Sequence, residues 1–346
     1  MIRYKTIRDR MPFGLHFPTK RAGMKKIIFI VLIMGYAFGI SAQNEVSFEF
    51  SDGIENFQLK SKMERQVMNL LTAVNRAQAT GSDINFSGIY IDNLASQSIC
   101  MLWNNVRFRC LDNDIVEHCL QLRSGNNSLR GYQVRNIAIE MKPVDNSYTD
   151  DLNQEVCIDF DRNGTITDFN ITMGIRQYTQ LMKEGIELDD MDRRMQIVHY
   201  VEQFRTAYNQ KDLRFMENIF SDDALIVTGK VVQRVPSEIG IPKAKVEYNV
   251  QGKRQYLNNL RNTFSRQGYI NVKFDEIRIK RHGAKPNYYG VTLIQEWNST
   301  TYSDRGIVFL VWDFTNEDAP KIHVRTWQPT ETSEDELFTL NKFKLP

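Results

Sequence analysis

Between residues 58 and 79 the apolar side chains fall at Leu59, Met63, Val67, Leu70, Leu71 and Val74, steps of three and four that predict an amphipathic helix. Gly81-Ser82-Asp83 ends the pattern, and a shorter helix is expected over Ala95–Trp103 behind the start signal Asp92-Asn93. The period then falls to two. Val116, His118, Leu120 and Leu122 alternate with Glu117, Cys119 and Gln121, and Gly125-Asn126-Asn127 reads as a turn. In Tyr132–Met141 the residues Ile137, Ile139 and Met141 share one face. Val156–Ile158 and Ile166–Ile171 flank Asp161-Arg162-Asn163-Gly164, where Asn-Gly predicts a hairpin turn.

Helical spacing returns at Ile175–Ile186 and again at residues 190–209, where Ile197, Val201, Phe204 and Tyr208 form an apolar stripe opposite a polar face. Leu213, Met216, Ile219 and Phe220 predict a short helix, and Ala224–Val232 a strand. Pro236 and Pro242 mark an irregular stretch before a helix with Tyr256, Leu257, Leu260 and Phe264 facing inward. Four strands are expected after it, over Ile270–Lys280, Tyr288–Trp297, Gly306–Phe314 and Lys321–Trp327. In the first of them the inward parity changes from Val272 and Phe274 to Ile277 and Ile279, which predicts a bulge near Asp275-Glu276 and a bent strand. Gly306–Phe314 is apolar on both faces, so it belongs at the centre of its sheet, covered on both sides. The tail from Glu331 to Pro346 is acidic, then apolar (Leu337, Phe338, Leu340, Phe343, Leu345), and is expected to dock back on the fold.

The start of the chain has a different character. Lys25 and Lys26 precede an apolar run from Ile27 to Ile40, and the small residues Gly39, Ser41 and Ala42 follow. This is the pattern of a secretory signal peptide cleaved after Ala42, with Met24 the expected true start. Residues 1–42 hold eight of the 44 Lys and Arg and one of the 42 Asp and Glu, so the remainder carries a formal net charge of −5. Such a charge gives no reason to expect a nucleic-acid partner. The basic run Lys273–Lys285 carries no aromatic stacking pattern and reads as a solvated strand face. Export to the periplasm or cell envelope permits disulfides among Cys100, Cys110, Cys119 and Cys157, in three full pairings, and buried thiols fit equally well. Cys110, His118 and Cys119 lack the paired spacing of a zinc site, so no metal and no cofactor is expected.

The order long helix, short helix, strand, helix, four bent strands occupies residues 190–328. Tyr200-Val-Glu-Gln-Phe-Arg-Thr-Ala-Tyr-Asn209, Phe220-Ser-Asp-Asp-Ala-Leu-Ile-Val227 and Trp312-Asp-Phe-Thr-Asn-Glu-Asp-Ala-Pro320 carry a resemblance to the nuclear-transport-factor-2-like superfamily, and to exported uncharacterised proteins of Gram-negative anaerobes that contain this domain. The resemblance implies an α+β cone, with helices packed in a strongly bent antiparallel sheet. It is specific for fold and poor for function, because the superfamily holds isomerases, dehydratases and non-enzymes. The expected organisation is a signal region (1–42), a smaller N-terminal α+β domain (43–172), a helical connector (173–189), the cone (190–328) and a tail (329–346). Helix 58–79 and hairpin 156–171 parallel helix 190–209 and hairpin 306–327, which makes the first domain a candidate degenerate copy of the second.

Reactions on cone folds take place in the cavity of the cone. Tyr208, Tyr256, Trp297, Arg325 and Trp327 are the candidate pocket residues, with His323 and Asp313 as the candidate acid/base groups. Asp159-Phe-Asp161-Arg-Asn163-Gly164 has the opening spacing of a calcium loop, but its twelfth position is Asn170 and its flanks read as strands, so a plain hairpin is expected. With no matching acid/base set in view, the sequence points to a non-catalytic exported protein that binds a small molecule, glycan or envelope protein through the cone pocket or sheet face. The alternative is an isomerase- or dehydratase-type enzyme. A homodimer formed sheet to sheet is also expected from the resemblance.

Overall fold

The structure is a computed structural model that describes residues 44–123, 128–144, 152–183, 188–235 and 243–345. The signal region, the turn at Gly125-Asn126-Asn127 and both prolines of the irregular stretch lie outside the described residues. Strand β1 (Ser47–Phe50) leads into helix α1 (Phe57–Thr80) and helix α2 (Asn93–Asn105). The Asn56 side chain caps α1 by accepting the Leu59 N–H, and Gly81 closes it with φ +69°, a left-handed conformation that glycine adopts without strain. Asp92 caps α2 in the same way through the Ala95 N–H at 2.6 Å.

Strands β2 (Val106–Cys110), β3 (Asp114–Glu117), β4 (Cys119–Arg123), β5 (Leu129–Pro143), β6 (Asn153–Asp161) and β7 (Ile166–Thr172) complete the first half. The single strand expected around residues 116–122 is two strands. β3 pairs parallel with β1, whereas β4 pairs with β5, so the chain changes sheets at His118. Ile115 and Cys119 point inward and Val116 is exposed, which reverses the parity read from the sequence. The Asn-Gly hairpin forms as expected. Asp161 accepts the N–H groups of Asn163 and Thr165, each at 2.8 Å, so its carboxylate closes the turn. All four cysteines are free thiols.

Helices α3 (Ile175–Lys183), α4 (Leu188–Gln210) and α5 (Leu213–Ile219) open the second half. They are followed by β8 (Phe220–Val235), β9 (Lys243–Gly252), helix α6 (Lys253–Arg266) and strands β10 (Ile270–Arg281), β11 (Tyr288–Ser299), β12 (Ser303–Asp313) and β13 (Lys321–Pro329). The six-stranded sheet runs β10-β11-β12-β13-β8-β9, antiparallel except where β8 lies parallel to β13. The expected bulge in β10 is present: the register slips between Asp275 and Arg278, and Glu276 has φ +49°. Such slips bend strands, and the bent sheet wraps a core of α4, α5 and α6 side chains in the α+β cone arrangement. β12 is central and doubly covered. Val308, Leu310 and Trp312 face the helices, while Phe309 and Val311 face outward beneath Phe338, Leu340, Phe343 and Leu345 of the tail. The first sheet follows the same path, β2-β5-β6-β7, ending in a parallel bridge from Ile91 to Ile166 where the cone has β8.

Helix α4 is buried on two sides. Its apolar stripe enters the cone, as its spacing implies, but its polar face meets the first sheet instead of water. Glu202 takes a bidentate pair from Arg135 of β5, with contacts of 2.9 and 2.5 Å, and also accepts the Met173 N–H at 3.0 Å. Arg135 and Glu202 are each about 95% buried or more. Burial works against the guanidinium charge, and Glu202 more than offsets this, so the Arg135 pKa is raised. Arg205 donates to Thr172 O and Val272 O, and Thr206 accepts the Ile171 N–H, so one helix is fastened to both sheets.

Removing one partner of such a pair strands a buried charge. Arg135→Ala is therefore expected to cost about 3–5 kcal/mol, whereas replacing Arg135 and Glu202 together by Met and Leu costs far less. Urea unfolding followed by circular dichroism measures both.

Candidate functional site

The open end of the cone holds a cleft of about 390 Å³ between α6, the β8–β9 hairpin and the ends of β11, β12 and β13. Tyr256, Trp297, Arg325 and Trp327 line it, four of the five pocket candidates. Tyr208 stands behind the wall: its hydroxyl is 2.6 Å from that of Tyr256, and its ring packs edge-on against Trp297 at 5.6 Å. Backbone register decides which β13 side chains face in. Val311 pairs with Val324 and Trp312 with Ile322, so His323 is an extra residue at a bulge. Ile322, Arg325 and Trp327 therefore point into the cone and Val324 points out.

The Trp327 ring needs flat floor on both neighbouring strands. A Cβ on Gly306 would lie 2.4 Å from the indole, and one on Gly229 2.5 Å from it. These glycines are required by close approach of a side chain, with ordinary backbone angles.

Arg325 dominates the electrostatics of the cleft. Its side chain is buried, its Nη2 donates to Gln295 Oε1 at 3.2 Å, and its guanidinium carbon sits 5.6 Å from the centre of the Tyr256 ring. Nε and Nη1 make no well-directed hydrogen bond among the described residues, with the Tyr208 hydroxyl acting on the guanidinium from behind the wall, and Trp327 Nε1 has no partner among them. Burial opposes the guanidinium charge, but Tyr208, Tyr256 and Asp304 together raise its pKa, so it stays charged. Across the cleft, Tyr302 donates to Asp304 Oδ2 at 2.6 Å while Asp304 Oδ1 has no partner among the described residues. Burial lifts the Asp304 carboxyl above its ordinary range despite Tyr302 and Arg325. Burial likewise pushes the Tyr208 hydroxyl well above its ordinary value. The cleft is thus lined by a fixed cation, a partly buried carboxyl group and aromatic walls.

His323 and Asp313 are placed elsewhere, which corrects the expectation that they reach the cavity. The β13 bulge turns His323 away from the cleft. Its Nδ1 is 3.3 Å from Asp223 Oδ1 and its Nε2 3.3 Å from Asp313 Oδ2. Asp313 also accepts from Tyr288 at 3.0 Å and from the Thr315 N–H at 2.8 Å. Burial would raise the Asp313 carboxyl, and these donors hold it below the usual carboxylate range. It behaves as a turn-closing residue.

Sequence reasoning missed Asp304, Tyr302 and Gln295. A signal existed for Asp304, because Asp304, Gly306, Val308, Leu310 and Trp312 share one parity once β12 is started at Ser303 instead of Gly306. For metal, the described residues contain one suitably spaced group of three side chains, Asp159, Asp168 and His199, and it lies apart from the cleft.

Neither a protein-family profile nor a curated protein matches the chain. Solved structures similar to it include Bd1075 of Bdellovibrio bacteriovorus, at 16% identity and TM-score 0.31, over 48% of this chain and 47% of that one. This chain therefore spans about half the length of Bd1075. A second is described as a putative dehydratase from the NTF2-like family of Streptomyces avermitilis, at 13% identity and TM-score 0.30, over 39% of this chain and 94% of that one. A third is an NTF2-like protein from Cytophaga hutchinsonii, at 11% identity and TM-score 0.27, covering 45% and 99%. Many of the similar structures are NTF2-like; the cone described here is read from strand order and helix placement in this chain.

Two outcomes follow from the cleft. Gly306→Ala should lose about 1–3 kcal/mol by overpacking Trp327, with an altered tryptophan emission spectrum, while Gly283→Ala, where an added methyl meets nothing, is close to neutral in urea unfolding. Asp304, with its folded pKa raised, favours folding at low pH and loses that contribution as pH rises through the folded value. The Tm difference between Asp304→Asn and wild type should therefore be more positive at neutral pH than near the ordinary carboxylate value of 3.8, as thermal melts across pH will measure.

Proposed function

We propose that this chain is an exported binding protein whose cone cleft holds a small molecule with a carboxylate or comparable anionic group. One observation carries the reading: the buried, charged Arg325 guanidinium lines the cleft, where Gln295 at 3.2 Å is its hydrogen-bond acceptor on that side. Leaving donors of a buried cation without a well-directed acceptor costs about 1–3 kcal/mol or more, and an anion accepting from them recovers that cost. The planar fork suits two-point recognition of a carboxylate. Tyr256, Trp297 and Trp327 offer flat apolar surface to the rest of the ligand, and the volume is in the range of small-ligand sites. The export segment at residues 24–42 supports a place in the periplasm or envelope. Among the described residues no helix is long and apolar enough to cross a membrane.

A second reading, an isomerase- or dehydratase-type enzyme, is favoured by the Asp304–Tyr302 pair at the same cleft. A carboxyl group with a raised pKa beside a hydroxyl is suited to proton transfer. The two readings differ in what Asp304→Asn does to a bound ligand: under the enzyme reading it abolishes turnover and spares binding, and under the binding reading no turnover exists to lose.

Trp297 and Trp327 give the binding assay its readout. Titration with a panel of aromatic and aliphatic carboxylates is expected to produce a saturable emission change. Arg325→Gln should weaken it by about 2 kcal/mol or more, roughly thirtyfold. Equal affinity for the matching neutral amides would contradict an anion site.

A further inference from the structure

The β6–β7 hairpin pairs Asp159 directly with Asp168. Two carboxylates opposite each other on one sheet face repel, and side chains so placed normally destabilise the pair. Asp159 is only 4% exposed, so water does little to screen it. Arg135, whose charge acts on Asp159, is already committed to Glu202. Helix α4 brings His199 onto the pair, with Nδ1 3.5 Å from Asp159 Oδ2.

The carboxylates are held from behind by neutral amides. Gln133 Nε2 donates to Asp159 Oδ1 at 2.7 Å, and Gln203 Nε2 donates to Asp168 Oδ2 at 2.6 Å. Asp168 Oδ1 accepts the N–H of the next residue, Phe169, at 2.9 Å. Amide donors behind ligating carboxylates fix ligand orientation in metal sites. One ligand atom from each of Asp159, Asp168 and His199 lies within 4.8 Å of the other two. Ligand atoms at about 2.0–2.2 Å from a tetrahedral ion lie about 3.3–3.6 Å apart; His199 and Asp159 already have that spacing at 3.5 Å, and the 4.8 Å bound on the trio leaves Asp168 at most about an ångström to close.

We infer that Asp159, Asp168 and His199 bind one divalent transition-metal ion of the zinc class. An imidazole with two carboxylates suits zinc or manganese, whereas calcium takes six to eight oxygens. Asp161, the nearest further carboxylate in the sequence, is spent on closing the hairpin turn. Three protein ligands leave coordination positions open, as in zinc sites that accept water or substrate. The open side faces a cleft of about 320 Å³ edged by Asp192, Gln196 and Tyr200, with Arg123 and Arg130 also in its lining. Because its ligands come from a hairpin of the first half and a helix of the second, the ion also ties the two together.

The test uses the full chain without an affinity tag. Zn²⁺ titrated at neutral pH in a non-chelating buffer is expected to bind one per chain by calorimetry. Asp168→Asn and His199→Gln should each weaken uptake at least tenfold, and Gln203→Leu by about tenfold. Circular dichroism verifies that each variant is folded. Independently of any variant, Co²⁺ loaded into the wild-type protein should shift the proton resonances of one histidine ring paramagnetically. Absence of saturable one-to-one Zn²⁺ uptake, or uptake by His199→Gln as tight as wild type, or no shifted histidine, overturns the site and shows an ordinary Asp–His ion pair.

Discussion

The bidentate pair between Arg135 and Glu202 is the constraint on which the remaining arrangement depends. It sits where the polar face of α4 meets the first sheet, and both partners are almost wholly out of water. A buried pair of this kind adds little net stability over an apolar contact of the same shape, but misalignment strands two charges. The geometry therefore admits one rotation and one translation of α4 on β5. The Thr206 and Arg205 bonds to the C-terminal end of β7 agree with that same setting.

With the helix fixed in this way, its other face is fixed too. Phe204 and Tyr208 enter the cone at a set height, and Tyr208 positions the Tyr256 hydroxyl at the back of the cleft. The β13 bulge delivers Arg325 to the front of the same space, and Gly229 and Gly306 leave room for the Trp327 ring beside it. A buried cation lining a cleft, and a carboxylate lifted by burial, work against folding. Local conflicts of this kind are where function is normally found in an otherwise consistent fold.

Much of the fold could be read from periodicity. The α1 stripe, the Asp92 cap, the β10 bulge at Asp275-Glu276 and the double burial of β12 all rest on short-range pattern, and all are present. What failed to show depends on partners distant in the chain. Glu202, Gln203 and Thr206 look like solvated helix residues until Arg135, Asp168 and Ile171 are brought against them. β9 went unseen because its parity is inverted. Asn249 and Gln251 face the cleft while Tyr248 and Val250 are exposed, the reverse of the usual rule, because a polar cavity needs polar walls. The same inversion hid Asp304. Tyr256, Trp297, Arg325 and Trp327 were legible as a set because the cone resemblance assigns a cavity to those strand ends. His323 was misplaced by a single extra residue, since one bulge exchanges the faces of every position beyond it.

Occupancy of the Arg325 cleft by a ligand is measured most directly by native mass spectrometry of the full chain purified from its own host. Wild-type protein is predicted to carry a small anionic molecule in stoichiometric amount, released by mild activation, and Arg325→Gln prepared in parallel is predicted to be empty. A wild-type mass equal to the bare chain under conditions that preserve weak complexes, or the same adduct on both proteins, would contradict it.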